Sequence, residues 1–136
     1  VLCNRGRLPY PGVDVVMARI MKQVAEEKAA EKFDPIIIRE AVKVRIDPRL
    51  IRSIARVRSS FDPGYVSPRG ERGLIPLRAD QWALAARIAG EDWTFETDAG
   101  DVEKNVRIAC TYLDYLRSEV LPPYTTRSLE RLERIN

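Results

Sequence analysis

Apolar residues recur three and four positions apart through most of this chain. Val13, Val16, Met17, Ile20, Met21 and Val24 follow that spacing and run into the polar stretch AEEKAAEK, which predicts an amphipathic helix over about 13–32 with its methionines in the core. A second helix is predicted over 34–44, with Asp34 as cap and Pro35 in the first turn, and a third from Asp47-Pro48 to about Arg58 by the same start signal. Further on, Asp80 is placed to cap a helix through Ala89 that Gly90 closes, and Asp101 to cap another through about Val120 that Pro122-Pro123 stops. No strand pattern of any length appears. Residues 1–12, with Gly6, Pro9, Pro11 and Gly12, read as an extended lead-in, and the tail 121–136 carries one short helical pattern at Leu129 and Leu132. The pattern therefore predicts a mainly α chain of five or six helices, forming a single domain over 1–136.

The helices are interrupted once at length. Residues 58–77 read RSSFDPGYVSPRGERGLIPL, and an irregular stretch of this size is uncommon in a compact domain unless it is functional. Gly64, Gly70 and Gly73 supply backbone freedom, Phe61, Tyr65 and Leu74 supply anchors, and Ser67-Pro68-Arg69-Gly70 has turn composition. The segment at about 59–79 is expected to form an irregular or short β-like excursion lining a cleft.

Composition narrows the classes of function. With 45% hydrophobic and 32% charged residues the chain is globular, and no apolar run approaches the ~18–20 residues that span a bilayer. The net charge is only +3, yet 18 of the 23 basic residues are arginine, the side chain that forks onto carboxylate and phosphate. Twenty acidic residues balance them. A solvated surface is the plain reading, and no cluster of bases and aromatics marks a nucleic-acid module. Two cysteines, Cys3 and Cys110, and no histidine give no metal-site spacing, so no metal or other cofactor is expected. The cysteines are either one disulfide, which would fit an oxidising envelope compartment, or two thiols. No export signal stands in the sequence, and a chain that opens on Val1 says nothing of its compartment.

The 58–77 stretch resembles the signature of the lytic transglycosylase catalytic domain, which runs roughly E-S-x-F-x-P-x-A-x-S-x-x-G-A-x-G-L-M-Q-L-M-P. Ser59, Phe61, Pro63, Ser67, Gly70, Gly73, Leu74 and Leu77 fall in register with it without a gap. The flanks agree as well: IDPRLIRSIAR at 46–56 looks like the family's V-D-P-x-L-x-x-A-I helix, and NVRIACTYLDYL at 105–116 looks like its N-I-x-x-G-x-x-Y-L-x-x-L helix. The resemblance covers about residues 36–118. It implies a lysozyme-like helical fold, a cleft that takes peptidoglycan glycan strands or an envelope protein, no cofactor, and a bacterial periplasm or cell-envelope location. It also implies cleft positions at Arg58, Ser59, Phe61, Ser67, Leu74, Ile75, Pro76, Arg78 and Tyr112.

By the same resemblance the family's general acid/base glutamate falls on Arg58. That chemistry needs one carboxyl group to protonate the glycosidic oxygen and then take a proton from the C6 hydroxyl, so that the muramoyl product closes on itself. A guanidinium stays protonated and has no acceptor, so it serves neither role. The family's groove glutamine falls on Pro76 and a methionine on Arg78, while Ser67 and Tyr112 keep their type. On a helical wheel Arg49, Arg52 and Arg56 form one stripe, expected to be solvated, and Leu50, Ile51, Ile54, Ala55 and Val57 form the other side with Arg58 among them. An inward-pointing charge needs a partner, and Glu71 is the expected one. Three functions are carried forward: a non-catalytic binding domain, a glycosidase with its acid relocated to Glu71 (with Asp62 and Glu40 behind it), and a structural or assembly module.

Overall fold

A computed structural model describes residues 12–120 of the chain. Helix α1 spans Val13–Glu31, α2 Asp34–Lys43, α3 Pro48–Ser59, α4 Ala79–Ala89, α5 Phe95–Asp98 and α6 Val102–Tyr115, and α6 runs on into a π-helical turn at Leu116–Val120. The mainly α fold class expected from the pattern is the one observed, consistent with the lysozyme-like fold that the resemblance implies. The predicted lead-in, apart from Gly12, and the tail pattern at Leu129 and Leu132 lie outside the described residues.

The start signals act as capping chemistry predicts, with two adjustments. Asp47 accepts a hydrogen bond from the Arg49 backbone N–H at 2.9 Å and Asp101 accepts one from that of Lys104 at 3.0 Å, each satisfying a donor that the first turn leaves open. Asp34, by contrast, is the first residue of α2 behind a Phe33 cap. At α4 the cap is Arg78, not Asp80: the Gln81 side chain reaches back to the Arg78 N–H at 2.9 Å, so the helix opens two residues earlier than the sequence suggests. Gly90 ends α4 in the left-handed conformation, at φ 73°.

The core is built where α6 packs against α4 and α2, with α3 against α2. Ile37 and Ala41 of α2, Ile51 and Ala55 of α3, Trp82 of α4 and Val106 of α6 are all buried there. Trp82 keeps its indole N–H satisfied by donating to the Trp93 carbonyl at 2.9 Å.

Helix α1 departs from expectation. Only its last turns touch the body, where Ala30 is buried and Glu27 is paired with Arg52, at 2.8 Å, and with Arg56 of α3. Met17 and Met21 are not core residues: they are 46% and 62% exposed, because the helix leaves the body before it reaches them. The Arg49, Arg52, Arg56 stripe is correspondingly not a simple solvated face, since two of its three members tie α3 to α1.

Candidate functional site: the groove beside helix α3

The core stripe of α3 is narrow. Ile51, Ala55 and Ser59, spaced four apart, are buried, while Leu50 and Val57 are exposed and Ile54 is only partly covered. Ile54, Val57 and Arg58 therefore face sideways. They form one wall of a groove of about 460 Å³ that Ala109, Tyr112 and Leu113 of α6 and Leu116 of the π-helical turn also line, together with Glu71, Ile75, Pro76 and Leu77.

The irregular segment is positioned by three devices. At its start Ser60 and Phe61 both adopt positive φ, 50° and 59°, which turns the chain sharply off α3, and the buried Phe61 ring anchors the bend. Next, the Ser59 hydroxyl lies 2.6 Å from the Leu74 carbonyl and donates to it, and single bridges pair Arg72 with Val66 and with Leu77. This is the short β-like excursion expected from composition. Finally, the fully buried Asn105 of α6 grips the peptide of Ile75 from both sides, accepting from its N–H at 2.8 Å and donating to its carbonyl at 3.2 Å. Gly73, at φ 103°, makes this approach possible: a Cβ there would lie 2.1 Å from the Asn105 amide nitrogen.

At the rim, Arg58 Nη2 donates to Glu71 Oε2 at 2.6 Å. The other Glu71 oxygen accepts from Ser67 Oγ at 3.3 Å, so both carboxylate oxygens are engaged. The guanidinium is not buried, as the wheel suggests it should be. Its side chain is 48% exposed and that of Glu71 16%, because the apolar residues beside Arg58 line an open groove instead of the core. Gln81 Nε2 donates to the Tyr112 hydroxyl at 3.4 Å, so two of the groove's three remaining polar side chains meet each other, Ser53 being the third.

The residues singled out in the sequence thus separate in space. Arg58, Glu71, Ile75, Pro76 and Tyr112 line the groove together. Ser59, Phe61 and Leu74 are buried as structural supports, and Ser67 stands behind Glu71, on which its hydroxyl closes a turn. Arg78 is exposed and paired with Asp80 at 3.1 Å. Of the alternative acids, Asp62 accepts from the Gly64 N–H at 2.9 Å, and buried Glu40 is held on α2 by Arg39 and Lys43, each at 3.2 Å. Neither Asp62 nor Glu40 lines the groove. Sequence reasoning missed Gln81 and Asn105. The capping-box spacing Arg78 to Gln81 and a lone asparagine on the apolar face of α6 were the available signals. Near that face Cys110 is buried, and desolvation first, then the charge of Glu40, pushes its thiol up to about 12. Its relation to Cys3 falls outside the described residues. Among the described residues no cluster of metal-ligating side chains occurs.

Comparison with known proteins gives two matches. The family model described as Transglycosylase SLT domain matches residues 35–126, more than half of the chain. Membrane-bound lytic murein transglycosylase C of Photorhabdus laumondii is similar at 25% identity over 142 residues, which covers 96% of this chain but 38% of that protein. The family model spans about two thirds of the sequence, from the start of α2 past the end of α6, and the chain belongs to the transglycosylase SLT domain family.

Proposed function

We propose that this is a non-catalytic member of its family whose groove binds a peptidoglycan glycan strand or an envelope partner without cleaving it. The observation that carries the reading is the Arg58–Glu71 contact at 2.6 Å. Register with the family signature assigns the general acid/base position to Arg58, and a guanidinium can neither donate usefully to a glycosidic oxygen nor accept the C6 proton. Glu71 is the carboxylate in the groove lining, and both its oxygens are occupied. The cell envelope is the proposed location, in keeping with the printed name of the relative. No helix among the described residues is long and apolar enough to cross a membrane.

A second reading, a relocated acid at Glu71, draws on that residue's place in the groove. It requires Arg58 to swing away so that one oxygen becomes available. Co-sedimentation with purified peptidoglycan separates binding from its absence: the intact chain is expected in the pellet, and a Tyr112→Ala, Arg58→Ala double variant in the supernatant. Equal pelleting of both proteins would remove the groove from the account, and no pelleting of either would favour an assembly module.

A further inference from the structure

We propose that Arg58 determines what the groove accepts: it receives a carboxylate of the ligand, so that the groove selects the acidic, muramoyl-bearing form of a glycan strand over a neutral one. This rests on the glycan reading of the groove and adds the group that is recognised. The polar side chains of the lining are Ser53, Arg58, Glu71, Gln81 and Tyr112. Apart from the Ser53 hydroxyl, which serves either way, their acceptors already have partners. One oxygen of Glu71 is held by Arg58 at 2.6 Å and the other by Ser67 at 3.3 Å. Gln81 Oε1 accepts from the Arg78 N–H at 2.9 Å, and the Tyr112 oxygen accepts from Gln81 Nε2 at 3.4 Å.

The donors are not used up. A guanidinium presents a rigid fork of N–H groups, and among the described residues Arg58 is engaged through Nη2 alone, with 48% of its side chain exposed. The Tyr112 O–H likewise has no acceptor among the described residues. A lining whose spare capacity is donation suits a ligand that brings acceptors. A carboxylate gains most, because an ionised acceptor makes the stronger bond and its two oxygens match the fork. A sugar hydroxyl brings a donor as well, and that donor finds little to meet here. Glu71 does not exclude the incoming carboxylate, since it occupies one nitrogen of the guanidinium and keeps Ser67 as a second partner. Ile54, Val57 and Leu113 of the lining are left to cover the ligand's methyl groups and ring faces. In a strand the carboxylate has two sources: a bare muramoyl unit ends its lactyl ether in one, and a substituted unit spends that group on an amide and carries its carboxylates on the peptide.

Titration of the intact chain, followed by NMR, tests this with the disaccharide of N-acetylglucosamine and N-acetylmuramic acid, the same disaccharide with its lactyl carboxyl amidated, its peptide-bearing form, and neutral N,N′-diacetylchitobiose. The carboxylate-bearing probes are expected to bind about fivefold tighter than the amidated and neutral ones, as a half-exposed ion pair allows, and the difference should shrink at high salt. Arg58→Gln should erase the difference, while Arg58→Lys, which keeps the charge and loses the fork, should retain part of it. The replaced side chain is half exposed, so circular dichroism should stay unchanged, and the comparison of probes on the parent stands without the variants. Tighter binding of the peptide-bearing probe than of the bare acid would support the proposal with the peptide as source, and the reverse would support it with the lactyl group. Equal binding of acidic and neutral probes, or a preference that survives Arg58→Gln, would overturn the proposal and leave a glycan-binding groove. No binding of any probe would overturn it together with the glycan reading on which it rests.

Discussion

Arg58 and Glu71 neutralise one another at the rim of the groove, and their unequal exposure, 48% against 16%, decides which one depends on the other. Glu71 is the more enclosed, so removing Arg58 leaves a partly desolvated carboxylate with only Ser67 to serve it. In a double-mutant cycle by chemical denaturation, Arg58→Ala should therefore be relieved by Glu71→Gln, with a coupling of about 1 kcal/mol or less as expected of a half-exposed pair. Additive effects would show the contact to be incidental. Asn105 is a stricter test of single-residue roles. Its fully buried amide satisfies both polar groups of the Ile75 peptide, and Asn105→Ala should cost about 1–3 kcal/mol in the same assay. The partner of Arg58 was legible in the sequence because Glu71 is an acid at a small-residue position on the loop that passes over the end of α3. Its exposure was not, since a wheel distinguishes apolar from polar sides but not a core from a groove.

Helix α3 shows what an element adds to its residues. Asp47-Pro48 sets its start, and a single stripe of Ile51, Ala55 and Ser59 fixes its rotation, leaving Ile54 and Val57 to line the groove. Ile51→Ala should destabilise by about 2–5 kcal/mol, whereas Val57→Ala, at a 79% exposed site, should change stability by less than about 0.5 kcal/mol. Comparable losses at both positions would mean that the helix is rotated. Next to α6, Asp98 holds Lys104 at 3.0 Å, and the hydrogen bond from Lys104 lowers the aspartate's pKa while raising that of the lysine. A depressed carboxylate stabilises the fold above its ordinary titration range and loses that contribution as pH falls through the lowered value; the raised lysine contributes below its ordinary range and loses it as pH rises through the raised one. Thermal melts should show Asp98→Asn less stable than the parent at neutral pH and converging with it below about pH 4. The periodicity of α1 was legible, but not its environment. Met17 and Met21 read as core because the sequence does not say where a helix parts from the body, and the Glu27 pairs that hold its end lie at non-local partners on α3.

Across the whole molecule, local rules located most elements: caps at Asp47 and Asp101, the stop at Gly90, and the long irregular segment between α3 and α4. Non-local geometry supplied the rest. The Asn105 clamp joins residues thirty positions apart, and the groove is closed by Leu113 and Leu116, which periodicity alone assigns to a core. On the proposed reading, these features hold the groove in shape while the Arg58–Glu71 pair takes the position at which register with the family signature expects a proton donor. The most direct test is incubation of the purified chain with peptidoglycan, followed by mass spectrometry of the soluble fraction. The account predicts no anhydromuropeptide release above a protein-free control, for the parent and for Glu71→Gln alike. Release by the parent that Glu71→Gln abolishes would contradict it and make Glu71 the working acid.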